Sequence, residues 1–168
     1  YSMLMGSSGA SVNGDGATNN DLLFVPNNYS DIVWKGTGAP TEAQWNAFLS
    51  RSGLEGYRGR VAERNALDAP WTHTLDFHYD FEIPVSFVRA QITADVLNVI
   101  NLIDDSKGAS YFVANQTTTA ANITYTGQDA ATGKPKYTVS AANITRTPWS
   151  NQDLRSRWQL RLGARLSF

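Results

Sequence analysis

Oxygen-bearing side chains in the segment 11–21 have a spacing that resembles a calcium-binding loop. Such loops place ligands at alternate positions and need glycine at the sixth, and Gly16 is sixth when Ser11 is counted first. The first position of a calcium loop is normally aspartate and the twelfth is an acid, but here they are Ser11 and Leu22. The segment therefore predicts either a Ca²⁺ site or a polar loop held by Asx turns. The candidate ligands are Asn13, Asp15, Asn19 and Asp21.

A second candidate for chemistry is His78, which lies between Asp76 and Asp80 in an Asp-x-His-x-Asp pattern. On an extended strand these side chains share a face but lie about 7 Å apart, too far for a closed metal site without further ligands. We therefore favour a polar lining role for this pattern. The chain has no Gly-x-Ser-x-Gly elbow, phosphate loop or His-Glu-x-x-His motif, so the sequence predicts no enzyme.

The segments around His78 alternate between polar and apolar residues, which is typical of β-strands. We predict one strand over 71–83, a turn over 84–86, and a second strand over 87–97. Pro84 favours the turn because it fixes φ and cannot donate a backbone hydrogen bond. The polar face of the first strand carries Asp76, His78, Asp80 and Glu82.

The C-terminal segment 154–168 has the clearest alternation and predicts a third strand. One face is entirely apolar and carries Trp158, Leu160, Leu162, Ala164, Leu166 and Phe168. The opposite face carries an arginine at every fourth position: Arg157, Arg161 and Arg165.

Two long segments, 1–70 and 98–153, are predicted to be loops with some local structure. The first should contain a short helix over 41–52, with Thr41 as N-cap and Gln44 completing a capping box. The second should contain a hairpin around the turn-rich stretch 127–133.

Two architectures fit three amphipathic strands: a soluble antiparallel sheet, or part of a transmembrane β-barrel. The strand lengths favour the barrel, because a tilted strand needs about 9–11 residues to cross a membrane. Ten steps from Trp158 to Phe168, each about 3.3 Å and tilted by roughly 40°, rise about 25 Å, which is the height of a barrel's apolar band. A tight turn alternating with a connection of more than fifty residues is also the barrel pattern.

We therefore expect an all-β fold formed by the C-terminal strands of a transmembrane antiparallel β-barrel with long extracellular loops, one containing a short helix. Segments 71–83 and 87–97 would be barrel strands joined by a periplasmic turn over 84–86, and 154–168 would close the barrel. The polar faces would line the lumen. Three strands cannot close alone, so the remaining strands must lie outside this sequence.

The composition excludes some partners and some kinds of site. The net charge is −1 and no basic cluster occurs, so no nucleic-acid partner is expected. The chain has no cysteine, which excludes disulfides and thiolate metal sites. An exported protein needs a signal peptide, so we expect the beginning of the protein to be missing from this sequence.

The C-terminal residues resemble the last strand of bacterial outer-membrane proteins, which the barrel-assembly machinery recognises. The residues that would carry this signal are Trp158, Leu160, Leu162, Leu166 and Phe168. Several segments together resemble the C-terminus of TonB-dependent receptors of the Oar-like branch. These segments are 12–16, 20–26, 57–59, 63–65, 69–71 and 95–102.

The resemblance implies a 22-stranded barrel with an N-terminal plug in the outer membrane of a Gram-negative bacterium, importing a scarce nutrient. The implied partners are outer-membrane lipid, the missing strands and plug, the TonB complex, the barrel-assembly machinery and other outer-membrane subunits. Two alternatives remain open. One is a barrel of this family that serves in adhesion, secretion or complex scaffolding, and the other is a secreted soluble β-domain.

Overall fold

The computed structural model describes residues 1–9, 11–17, 20–85, 87–113, 117–118 and 123–168. Strands dominate its regular structure and the helices are few and short, so the fold is β-rich. Within these residues, no sheet closes into a barrel.

The described part of the chain contains no helix that is both long enough and apolar enough to span a membrane.

The strands and helices follow in chain order. The strands are β1 (Ser2–Met3), β2 (Gly6–Ser7), β3 (Phe24–Val25), β4 (Val33–Trp34), β5 (Arg60–Val61), β6 (Phe77–Val85), β7 (Val88–Leu97), β8 (Tyr111–Phe112), β9 (Thr117–Thr118), β10 (Thr124–Gln128), β11 (Pro135–Thr138), β12 (Ser150–Asn151) and β13 (Gln159–Ser167). The α-helices are α1 (Glu42–Arg51), α2 (Val99–Ile103), α3 (Ala141–Ile144) and α4 (Asp153–Ser156). Short 3-10 helices lie at Tyr29–Asp31 and Glu55–Tyr57.

The chain divides into two compact units. Unit 1 consists of Tyr1–Ala69 and Val113–Ser150, and unit 2 consists of Pro70–Phe112 and Asn151–Phe168. The segments 1–70 and 98–153 were expected to be two separate loops. Instead, most of both segments folds together as unit 1, while the ends of the second segment belong to unit 2.

Unit 1 has one hydrophobic core, to which both of its segments contribute. Its four-stranded sheet has the order β2-β10-β11-β4, so strands of the first segment flank the β10–β11 hairpin of the second. Trp34 stands edge-on to both Trp45 and Tyr137, with ring centroids 5.5 and 6.2 Å away. The buried apolar residues are Met3, Met5, Leu23, Val25, Ile32, Trp45, Phe48, Leu49, Leu54, Ala62, Leu67, Ile123, Tyr125, Tyr137, Val139 and Ile144.

Helix α1 begins where its capping residues predict. The backbone N–H of Gln44 donates to Thr41 Oγ1 at 3.3 Å, and the backbone N–H of Thr41 donates to Gln44 Oε1 at 2.8 Å. Both bonds satisfy amide donors that a helix start leaves without intrahelical acceptors. The helix ends at Arg51, and Gly53 follows with φ +73°, a conformation that favours glycine.

Unit 2 is built on a three-stranded antiparallel sheet with the order β13-β7-β6. The β6–β7 ladder continues to the pair Val85↔Val88, so Pro84 and Val85 are strand residues and not part of the turn predicted over 84–86. Ser86, the third residue of that turn, lies outside the described residues. Pro84 is tolerated because β6 is an edge strand of this sheet. On an edge strand, a residue without a backbone N–H need not remove a hydrogen bond to a neighbouring strand.

Two strand boundaries differ from the sequence predictions. The strand predicted over 71–83 starts only at Phe77, and the strand predicted over 154–168 starts only at Gln159. The four residues of α4 precede the second of these strands, with the backbone N–H of Ser156 donating to Gln152 O at 2.9 Å. A period-two pattern cannot distinguish one such helical turn from the beginning of a strand.

Candidate functional site

One face of the β13-β7-β6 sheet is apolar across all three strands. The register aligns the apolar residues in four rows: Phe77–Val96–Leu160, Tyr79–Ala94–Leu162, Phe81–Ile92–Ala164 and Ile83–Ala90–Leu166. Large side chains on the two outer strands are open to the surroundings, and Leu162 is 73% exposed. Phe168 follows the last row and is fully exposed. The sheet therefore presents a continuous apolar surface.

Such exposure is concentrated in unit 2. Among the residues that the structure describes, Val61 is the only exposed large apolar side chain of unit 1, and all the others belong to unit 2. Moving one Leu or Phe side chain from water into an apolar environment gains about 1.5–3 kcal/mol. The sheet surface carries several of these side chains, so covering it with an apolar environment would be favourable.

The opposite face of the sheet is polar, and its two outer strands carry opposite charges. Acidic Asp80 and Glu82 lie on β6, whereas Arg161 and Arg165 lie on β13. The register pairs Glu82 with Gln91 and Gln91 with Arg165, so the charge changes sign across one row. A face of this kind is suited to water and to charged groups.

His78 connects β6 to β7 on the polar face. Its Nδ1 contacts the Asp95 carboxylate, which lies directly opposite in the ladder, and its Nε2 lies 2.8 Å from Asp80 Oδ2. A ring with an acceptor on each nitrogen is fully satisfied only when both nitrogens carry protons. With both nitrogens occupied, His78 has none free to exchange a proton with a substrate. The arrangement is a cross-strand tie between β6 and β7.

The remaining residues predicted to face the lumen do not all lie on strands. Asp80, His78, Glu82, Arg161 and Arg165 are in β6 or β13 on the polar face. Asp76 lies just before β6, and its Oδ1 accepts the backbone N–H of Asn98 at 2.8 Å. Arg157 lies just after α4, and its guanidinium contacts the Asp153 carboxylate at 2.6 and 3.1 Å.

The five residues of the predicted assembly signal lie within β13 or next to it. Leu160, Leu162 and Leu166 lie on the apolar face of β13. Trp158 comes one residue before this strand and Phe168 one residue after it. These five residues are thus distributed along the full length of β13.

Asn98 is a structural residue that the sequence patterns did not single out. It is buried and has φ 54° and ψ 54°, a left-handed conformation that asparagine tolerates better than most residues. Its Nδ2 donates to Gly108 O at 2.9 Å and to Ser156 O at 2.8 Å. Asn98 therefore joins the end of β7 to the segments before β8 and before β13. Its position between an alternating strand and an apolar run is the only sequence signal for this role.

In the 11–21 loop, oxygen atoms converge but protein donors already bind them. The backbone N–H of Ala17 donates to Asp15 Oδ1 at 2.8 Å, and the backbone N–H of Asp15 donates to Asn13 Oδ1 at 3.0 Å. These are Asx turns. The bonds from Ala17 and from the Asn13 side chain hold the pKa of Asp15 below its usual range. Asp21 is buried and accepts the backbone N–H of Val12 at 2.8 Å.

The remaining candidate ligand, Asn19, lies outside the described residues. Throughout the described ranges, including the described part of this loop, His, Asp and Glu side chains form no group of three or more that could hold a metal ion.

Comparison with protein-family models, with curated proteins and with solved structures finds no match to this chain. Its function must therefore be inferred from its own geometry. The feature with the clearest functional meaning is a sheet whose apolar face is exposed and whose other face is charged.

Proposed function

We propose that this chain is the C-terminal part of an outer-membrane β-barrel and that β6, β7 and β13 form part of its wall. The apolar face would contact lipid and the charged face would line the hydrated lumen. One observation carries the proposal: four apolar rows cross the whole sheet and most of their large side chains are exposed, whereas Val61 is the only exposed large apolar side chain among the described residues of unit 1. A soluble sheet with the same alternation would cover such a face with other parts of the chain.

The connections of the sheet support an orientation in the membrane. The chain enters β6, leaves β7 and enters β13 at one end of the sheet, and the β6–β7 connection and Phe168 lie at the other end. Barrels of the bacterial outer membrane have short periplasmic turns and long extracellular loops. In our proposal the turn and Phe168 face the periplasm, and unit 1 is a folded extracellular domain.

We further propose that this barrel is a TonB-dependent transporter importing a scarce nutrient. The support is the resemblance of several segments, among them 20–26 and 95–102, to TonB-dependent receptors of the Oar-like branch. A barrel that serves in adhesion, secretion or complex scaffolding would have the same wall. A plug domain and a TonB box upstream of Tyr1 would favour transport over these roles.

Membrane assembly of the protein that ends in this chain tests the proposal. Leu162→Arg puts a charge on the apolar face, which costs about 2–4 kcal/mol near the middle of a bilayer. We expect this variant, and a second one lacking Phe168, to be lost from the outer-membrane fraction and to lose heat-modifiable migration on gels. Arg165→Gln is the matched control, because it changes the polar face of the same strand, and it should assemble normally. Normal assembly of Leu162→Arg would contradict a lipid-facing role for this surface.

Calcium binding by the 11–21 loop is a separate hypothesis that the barrel proposal does not require. The spacing of the oxygen-bearing residues in the sequence supports it. Ser11 Oγ lies at hydrogen-bond distance from Asn13 Oδ1 (2.6 Å) and Asp15 Oδ1 (3.2 Å), so a bound ion would have to replace these hydrogen bonds. Titration calorimetry with CaCl₂ tests it. If the loop binds the ion, a saturable heat should appear and should weaken in Asp15→Asn. Absence of heat at millimolar calcium would leave the Asx turns as the full explanation of the loop.

A further inference from the structure

The apolar surface of unit 2 does not stop at the end of the strands. Helix α2 follows β7 directly, and its exposed residues Leu102 and Ile103 line the same hollow as Trp158. Ile103 is 81% exposed and Leu102 is 47% exposed. Trp158 comes just before β13, at the end of the apolar rows. Single exposed apolar residues are ordinary on protein surfaces, but these three are adjacent and continue an apolar face.

Two contacts hold α2 in this position. The backbone N–H of Trp158 donates to Asn101 Oδ1 at 3.3 Å, which attaches the helix to the start of β13. The Asn98 side chain binds the carbonyls of Gly108 and Ser156, which fixes the turn between β7 and α2. The exposed pair Leu102 and Ile103 is therefore held in place and does not belong to a loosely attached loop.

The turn after α2 is polar. Lys107 Nζ lies 3.2 Å from Asp104 Oδ2, and Ser106 Oγ donates to Asp104 Oδ1 at 2.6 Å. The charged residues around the hollow are Asp104, Asp105, Lys107 and Arg157, which is two of each sign. The exposed apolar residues Leu102 and Ile103 therefore lie beside polar residues with no net charge. This combination suits the boundary between the acyl chains and the headgroups of a lipid bilayer. The balance gives no preference for anionic lipid.

We propose that α2 is an interfacial anchor whose Leu102 and Ile103 insert among the acyl chains of the outer leaflet beside Trp158. This inference rests on the proposed function, because the lipid must already surround the sheet. The partner is a lipid surface of no particular charge, and zwitterionic lipid is sufficient. The anchor would also hold the outer end of β7 at a fixed depth.

The chain has no cysteine, so single-cysteine variants labelled with an environment-sensitive fluorophore can test the anchor. We would label Ile103→Cys and, in case that variant folds poorly, Leu102→Cys. Leu162→Cys reports on the sheet, and Ala131→Cys, at an exposed site of unit 1, is the control in water. The protein is reconstituted in phosphatidylcholine vesicles, with and without brominated acyl chains.

We expect blue-shifted emission, and loss of intensity with brominated lipid, at positions 102, 103 and 162 but not at 131. A lipid signal at 162 with a water signal at 102 and 103 would overturn the anchor and leave the barrel proposal intact. A water signal at 162 would overturn the barrel proposal and the anchor together. A lipid signal at all four positions would also overturn the anchor, because it would indicate unspecific adsorption.

Discussion

The phenol of Tyr137 is almost fully buried in the core of unit 1, where its Oη donates to Phe24 O at 2.8 Å. Burial, with a smaller contribution from Tyr125, raises the pKa of Tyr137 above its ordinary value. The neutral phenol is thus the form that the folded state requires. In the unfolded chain the same phenol ionises near its normal pKa of about 10.

The raised pKa predicts a loss of stability at alkaline pH. The contribution of Tyr137 is fully present below about pH 10 and is lost as pH rises toward the higher pKa of the folded state. Tyr137→Phe should reduce this alkaline loss, and at neutral pH it should cost about 1 kcal/mol because Phe24 O loses its donor. Urea unfolding of the protein in detergent at pH 7 and pH 11, followed by near-ultraviolet circular dichroism, measures both effects.

Tyr79→Phe removes an equivalent hydroxyl from the exposed sheet face and is the control for that experiment. It should leave both the neutral-pH stability and the alkaline loss unchanged. An alkaline loss of the same size in Tyr137→Phe as in the natural chain would show that another group causes it. Tyr1 is the alternative candidate, since burial and the nearby Asp68 raise its pKa to about 12.

Single residues were predictable from the sequence only where the partner was close in the chain. The bond between Thr41 and Gln44 spans three residues, so its pattern could be recognised directly. The bond between His78 and Asp95 spans 17 residues and depends on the register of β6 and β7. Register is fixed by the whole ladder and its turn, and the prediction of a turn over 84–86 would have misaligned it.

At the scale of elements, α1 depends on its first turn. Thr41→Ala removes the acceptor for Gln44 N–H and should destabilise unit 1 by about 1 kcal/mol. Thr41→Ser keeps the hydroxyl and is expected to retain nearly all of the stability. The difference between the two variants in urea midpoint, measured by the same circular dichroism signal, tests the cap. Equal stability of the Ala and Ser variants would mean that the cap contributes nothing.

The elements with strong local patterns were predictable, and the short ones were not. The helix predicted over 41–52 lies at Glu42–Arg51, and the hairpin predicted around 127–133 is formed by β10 and β11. Strands of two residues such as β2 and β4 have no period of their own and exist because they pair with β10 and β11. Such elements form only through pairing with distant strands, so no local sequence pattern predicts them.

At the scale of the whole molecule, the two units should behave differently in water. A chain in which a short Gly-Ser linker joins residue 69 to residue 113, ending at residue 150, retains all of the buried apolar residues of unit 1. We expect it to be soluble and monomeric and to unfold cooperatively. The complete chain should aggregate without detergent because the sheet face is exposed. Size-exclusion chromatography of both chains tests this, and aggregation of the joined chain would contradict an autonomous unit 1.

Which segments fold together was not predictable from composition or periodicity. The segments 1–70 and 98–153 looked like independent loops because the strands of unit 2 separate them in the chain. Contacts such as Arg51 Nη2 to Ile144 O, at 2.7 Å and 93 residues apart, hold them together. The sequence has no signal for contacts over this distance, since each segment provides only part of a shared core.

The divided core of unit 1 also sets an order of events during synthesis. The first segment carries Trp45, Phe48 and Leu49, but part of the core that covers them arrives only with the β10–β11 hairpin and α3. Until residues 113–150 have been synthesised, these side chains cannot be buried in a complete core. The β6–β7 hairpin, which lies between the two segments in the chain, is synthesised before that point. Closing such a long loop is slow, because its entropic cost comes before the contacts that repay it. The first segment therefore stays incompletely packed until the second has been synthesised.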